Sequence, residues 1–271
     1  MVRPNLTARI VSANDTQPGT VHVTLDTTGM PIGSRVTVDA TAAGRAWPVR
    51  GGAITVTPTR QTYSLADALA PLNTPITYRY TVEGSYPTTA PPVTRAWPHP
   101  NHVLTDIYNR TNVQFRLLGD DPRDTTPAVT AHTIPGRYTP VAVLGKTTPA
   151  YTGELTITTT QPHTQRLRDL LKTPAVLVLH HNQTACNITG CDIEPVKLII
   201  PTAIKEARTA HTRAATRQWT ISYILADQPD LQRAIPASTW GDLAKRNLRW
   251  KTVRLIGWTW GEFSQQIWQD K

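Results

Sequence analysis

Twenty-three prolines and fifteen glycines are scattered along the whole chain rather than pooled in one segment, so they punctuate many short elements. The stretches between them are rich in threonine and valine, whose branching at Cβ stiffens the side chain and suits a pleated strand better than a helix. Many short extended segments separated by turns read as an all-β fold with a few short helices. At roughly 150 residues per domain, a chain of 271 residues has room for two domains.

Residues 1–95 carry the clearest alternation. Val21, Val23 and Leu25 share one face of a strand, with His22 and Thr24 on the other, and Val36 and Val38 repeat the pattern after turns at Gly29 and Gly33. Ile54 and Val56 follow Gly51-Gly52, and Ile76, Tyr78, Tyr80 and Val82 line one face of a further strand. Five or more short strands within about ninety residues make a small β-sandwich the economical expectation. Pro87, Pro91, Pro92, Pro98 and Pro100 then crowd one segment and hold it extended, which places a domain boundary near residue 95. The segment from Ala96 to Asp124, with Trp97 and the patch Val113–Leu117, is expected to lead across to the second domain, residues 96–230.

That domain reads as a strand at Tyr138–Leu144, an alternating strand at Glu154–Thr158, and a short helix on which Leu167, Leu170 and Leu171 form one apolar stripe before Pro174 stops it. The apolar run Ala175–Leu179 reads as a strand buried on both faces, Val196–Ile200 as another, and Trp219, Ile221, Tyr223 and Leu225 as a last alternating strand. Residues 231–271 differ again. Thr239-Trp240-Gly241-Asp242-Leu243 returns twenty residues later as Thr259-Trp260-Gly261-Glu262-Phe263, and Trp240, Trp250, Trp258, Trp260 and Trp268 all lie here. Each unit reads as a helix start, with a capping threonine and an acid near the positive helix end. Short helices with tryptophan anchors must dock on something, and the enrichment of tryptophan at interfaces favours a neighbouring subunit.

A net charge of +9 invites a nucleic-acid reading, but the positive residues are scattered. Their densest stretch, Lys205 and Arg208 through Arg213 and Arg217, lacks interleaved aromatics, so a solvated loop or subunit contact is expected there and no sequence-specific nucleic acid is assigned. No apolar run is long enough to cross a membrane, and the first residues lack the apolar core of a secretion signal, so synthesis and retention in the cytoplasm are expected.

One cluster is chemically suggestive. His180 and His181 precede Cys186 and Cys191, the chain's two cysteines. A disulfide between Cys186 and Cys191 would close a tiny loop at a hairpin tip. Zinc held by His181, Cys186 and Cys191 would require a fourth ligand, and free thiols are the third arrangement. Asp120, Asp121 and Asp124 are the densest acidic group, but beside Gly119 and Pro122 they read as a solvated turn rather than as paired glycosidase carboxylates. There is no phosphate-binding glycine loop, HExxH or GxSxG, so no enzyme, catalytic residue or cofactor is assigned. A carbohydrate-binding adhesin could use Trp47, Tyr63, Tyr78, Tyr80 or Tyr86 as sugar platforms, although alternation puts Tyr78 and Tyr80 in the core and Trp47, beside Pro48, reads as a cap on it.

This order of elements resembles the minor tail proteins, of the distal tail protein class, of siphophages infecting actinobacteria. The resemblance is carried by Val141–Lys146, by Tyr151–Ile157, by Leu167-Arg168-Asp169-Leu170-Leu171, by the buried strand after Pro174, by Arg217–Ile221, by the Thr-Trp-Gly-acid units, and by Arg45–Gly52 in the amino-terminal domain. It implies a tail-tube-like split β-barrel for residues 96–230. It further implies a ring, typically a hexamer of the chain with itself, at the tail tip of the virion. There the ring would contact the tail tube protein, the tape measure and the hub, and in some cases host cell-wall glycan. Head-to-tail contacts of this kind close into rings, and the long connection from His180 to Pro195 is the expected inter-subunit arm.

Overall fold

In the computed structural model, the structure describes residues 4–11, 13, 17–83, 87–107, 111–119, 121–145, 150–186, 191–209 and 215–227. The expected tryptophan-rich extension 231–271, with all five of its tryptophans, lies outside the described residues, as do Tyr86 and Asp120. The described residues are mostly β, with 53% strand and 6% helix.

The amino-terminal strands are β1 (Asn5–Val11), β2 (Thr20–Asp26), β3 (Arg35–Ala42), β4 (Arg45–Pro48), β5 (Ile54–Thr55), β6 (Thr62–Asp67), β7 (Pro75–Val82), β8 (Thr88–Thr89) and β9 (Val93–Thr94). They form two antiparallel groups, β1-β2-β6 and β4-β3-β7-β8, with β5 added to β3 and β9 to β7. The alternation places Val21, Val23 and Leu25 of the first group and Val36, Val38, Ala40, Ile76, Tyr78 and Tyr80 of the second in one shared core. The β3–β4 hairpin turns through Ala43 and Gly44, both at positive φ (47° and 77°), the geometry of a two-residue loop that follows the twist of its strands. His22, on the face of β2 opposite Val21 and Val23, is as deeply buried as they are, so both sides of this strand are covered there.

The remaining strands are β10 (His102–Asp106), β11 (Asn112–Leu117), β12 (Arg123–Asp124), β13 (Val129–His132), β14 (Val141–Leu144), β15 (Thr152–Thr159), β16 (Leu177–His180), β17 (Val196–Arg208) and β18 (Arg217–Leu225), with one helix, α1 (His163–Leu171), between β15 and β16. Six of them close into an antiparallel barrel in the order β11-β10-β16-β17-β18-β15, sealed by the pairing of β11 with β15. The barrel is filled rather than hollow. Leu104, Val113, Phe115, Leu155, Ile157, Leu177, Leu179, Ile199, Trp219, Ile221 and Tyr223 make its core, and α1 adds Leu167 to it. Residues 96–124, expected to be a crossing segment, supply two of the six barrel strands.

Successive residues of β16 face opposite ways. Leu177 and Leu179 point into the barrel, while Val178 joins Ala66, Ala68, Ile107 and Leu198 in a second apolar cluster shared with the amino-terminal sheets. Charged and polar groups line the same boundary, and Arg95 crosses it to His180. Asp67 accepts hydrogen bonds from the Tyr78 hydroxyl (2.8 Å) and the Trp47 indole (3.1 Å), and Arg95 donates to the carbonyls of Gly19 and Ala70 beside His180. Burial pushes the Asp67 carboxyl up, opposed by those hydrogen bonds and by Arg95.

One expectation for this half is corrected. Tyr138–Leu144 was expected to open the barrel; β13 and β14 instead pair only with each other among the described strands, and every residue of both is exposed. Of the connection from His180 to Pro195, expected to be an inter-subunit arm, His180, His181 and Asn182 are buried, Gln183, Thr184 and Asp192 are exposed, and residues 187–190 lie outside the described residues. Asn182 donates from its backbone to His102 Nδ1 (3.0 Å) and from its side chain to the His99 carbonyl (2.8 Å), which ties the start of this connection to the barrel mouth.

Candidate functional site

The barrel mouth where β10 begins, β16 ends and β17 begins gathers the buried polar side chains of His102, His180, His181, Asn182 and Lys197. His181 follows directly on β16, and its backbone amide donates to the Pro195 carbonyl at 2.9 Å, joining the two ends of the connection. Its ring stacks on His102 with centroids 4.6 Å apart and planes 9° from parallel, and His102 in turn lies 5.5 Å from Phe115. The His181 Nε2 is 3.3 Å from the Cys191 Sγ. With the Cys186 thiol, the three ligand atoms lie within 4.8 Å of one another. Both cysteines are half-buried thiols. Burial lowers the pKa of His181, as does the nearby Lys197, against the opposing charge of Asp121. Burial also raises the Cys191 thiol.

Asp121 lies beneath this cluster and contradicts the solvated-turn reading. Its carboxylate accepts from the Lys197 ammonium, from Arg123 Nη2 (2.8 Å) and from the Tyr223 hydroxyl (2.9 Å), and the Lys197 side chain is wholly buried. Burial acts to raise the Asp121 pKa, but the hydrogen bonds from Lys197 and Arg123 outweigh it and hold the carboxyl below its usual range. Three donors on this one carboxylate tie β12, β17 and β18 together at one corner of the barrel. Asp124, by contrast, is exposed on β12. Nothing in a local window signals that Lys197 and Tyr223 will meet Asp121, because they come from strands 76 and 102 residues away.

The adhesin candidates divide. Tyr63, Tyr78 and Tyr80 are buried in the amino-terminal core, with the Tyr63 hydroxyl donating to the Thr55 carbonyl, so none presents a ring face to solvent. Trp47 is half-buried against that core. It also lines a groove of about 200 Å³ between the β3–β4 hairpin and the barrel, together with Arg45, Leu69, Glu194, Leu198 and Leu225.

A different surface stands out by its chemistry. The hairpin β13–β14 and its turn expose Val129, Ile134, Tyr138, Val141, Val143 and Leu144, with Tyr138 at 104% and Leu144 at 71% of full exposure. It leaves the barrel between β12 and β15. The outer half of β17, Thr202–Arg208, is exposed as well. Positive charge there is partly balanced, because Glu206 accepts from Arg168 Nε at 3.1 Å and pairs with Arg217. No helix among the described residues is long and apolar enough to cross a membrane. Neither a protein-family model nor a curated protein matches the chain.

Proposed function

We propose that this chain is a structural protein of the distal tail of a long-tailed phage infecting actinobacteria, and that copies of it assemble into a ring joining the tail tube to the hub. On this reading its role is architectural rather than catalytic, and it is assembled in the host cytoplasm and kept in the virion at the tail tip. The barrel of residues 96–230 plays the part of the split barrel of tail-tube-like proteins, the amino-terminal sheets form a peripheral sandwich, and the tryptophan-rich segment 231–271 supplies helices that dock on a neighbouring copy or on the hub.

The observation that carries the proposal is the hairpin β13–β14, whose apolar side chains face solvent on an element that packs against nothing else among the described strands. A soluble monomer does not retain such a surface without cause, because leaving several large apolar residues in water forgoes roughly 1.5–3 kcal/mol apiece. A second copy whose sheet edge accepts the hairpin recovers that free energy, and repeating the contact around an axis closes a ring. Light scattering on the full chain is the test. Assembly to a ring-sized oligomer that Val141→Lys with Val143→Lys reduces to monomer is the expected result. A wild-type monomer at every concentration, also in the presence of the tail tube protein, would sink the reading.

One observation favours a second reading. Trp47 lies in a groove flanked by Arg45 and Glu194, and an indole beside paired charges suits a sugar ring of a cell-wall glycan. Loss of wall-glycan binding on Trp47→Ala, with assembly unchanged, would identify a receptor-binding role.

A further inference from the structure

We infer that His181, Cys186 and Cys191 form a binding site for a zinc ion that fastens the β16–β17 connection to the barrel mouth.

The argument begins with distances. Around a tetrahedral zinc ion, bond lengths of about 2.3 Å to sulfur and 2.0–2.1 Å to nitrogen set neighbouring ligand atoms roughly 3.3–3.8 Å apart. The His181 Nε2 and Cys191 Sγ already stand 3.3 Å apart, and all three donor atoms fall within 4.8 Å, so a closing of about 1 Å completes the set. The imidazole is held in place from two sides, by its stack on His102 and by the backbone hydrogen bond from its own amide to Pro195. A ligand fixed in this way loses little freedom on binding a metal.

The donor chemistry selects the ion. Two thiolates and a neutral imidazole are soft to borderline ligands that suit zinc and disfavour calcium or magnesium, and the two negative sulfurs balance the 2+ charge. Each S–H bond gives its proton to solvent as an S–Zn bond forms, with no change of oxidation state. Both cysteines are half-buried, so water can take the fourth corner. A disulfide between Cys186 and Cys191 would leave unexplained why a buried histidine aims its nitrogen at one of the sulfurs. The three ligands lie at the opposite end of β16 from α1, and none of them belongs to the exposed hairpin or lines the Trp47 groove, so the site stands or falls independently of the assembly reading.

The test uses the untagged full chain, reduced, stripped with a chelator and titrated with cobalt(II) as a spectroscopic substitute for zinc. One equivalent should produce a thiolate-to-cobalt charge-transfer band together with the visible bands of tetrahedral cobalt, both discharged by zinc. Cys186→Ser with Cys191→Ser should abolish the signal. His181→Gln should weaken binding at least about tenfold, in line with the cost of disturbing a metal ligand's setting, while the stripped variant melts with the same cooperativity as the stripped wild type. Absence of the charge-transfer band overturns the inference, as does a band of undiminished affinity in His181→Gln. So does a native disulfide between the two cysteines that reductant cannot open without unfolding the protein.

Discussion

Leu177-Val178-Leu179-His180 and Val141-Ala142-Val143-Leu144 are four-residue strands of nearly the same chemistry, and the protein treats them in opposite ways. The first is buried at every residue and the second is exposed at every residue. Neither propensity nor pattern separates them. The difference is in what lies on either side. β16 has β10 and β17 as neighbours, the barrel core against Leu177 and Leu179, and the amino-terminal sheets against Val178 and His180. β14 has one partner strand and water. An apolar run is therefore a demand for cover, and the tertiary structure meets it within the chain in one case and leaves it open in the other.

The contrast can be broken most forcefully in β16. Leu177→Ala should cost about 2–5 kcal/mol in denaturant unfolding, as large-to-small changes in a packed core do, whereas a loss below 1 kcal/mol would mean that the barrel interior is loosely filled.

His22 sharpens the point from the polar side, since alternation put it away from the core and the structure buries it with no hydrogen-bond partner on Nδ1 among the described residues. Burial, reinforced by Arg9, lowers its pKa from 6.5 to about 4. The unfolded chain takes up a proton below pH 6.5 that the folded chain refuses until about pH 4, so stability is full above 6.5 and falls as the pH drops through that window. The expected loss is on the order of 3 kcal/mol by pH 4. Melting curves of His22→Leu should show a correspondingly smaller acid loss, and equal losses in the two proteins would refute the assignment.

Gly153 tests the barrel wall. A Cβ at this position would come within 2.5 Å of the Tyr223 ring, whose hydroxyl is committed to Asp121. Gly153→Ala should destabilise by about 1–3 kcal/mol through overpacking, read by unfolding and by a change in tyrosine fluorescence. The smallest effect belongs to the exposed strand. Leu144→Ala should leave the stability of the monomer within about 0.5 kcal/mol, the usual range for surface changes, and a larger loss would show that the hairpin is packed after all.

Much of the element list was legible in the sequence. The period of two at Glu154–Thr158 and Trp219–Leu225, the 3.6-residue stripe on Leu167, Leu170 and Leu171, and the uninterrupted run ending at Leu179 all correspond to β15, β18, α1 and β16. These signals are local, because a strand or helix half-buried by anything shows the same periodicity. The candidate site was legible only as a set of residue types. His181, Cys186 and Cys191 stand close in sequence, but the stacking of His102, the Asp121 anchor beneath and the burial of Lys197 are contacts between residues about 70 to 100 apart. The exposed hairpin was read as a strand without any sign that it would be uncovered.

By itself, then, the order of residues determined that the chain is built of short strands, where most of them lie and which of their faces are apolar, because sterics at Cβ, proline's missing donor and side-chain alternation act within a few residues. Only the tertiary structure decided that β11 closes onto β15, that β16 is covered on both sides while β14 is covered on neither, and that an aspartate beside a proline turn becomes a half-buried anchor for a buried lysine. Those outcomes depend on free energy gained when distant segments exclude water together, and no short window of sequence contains both partners.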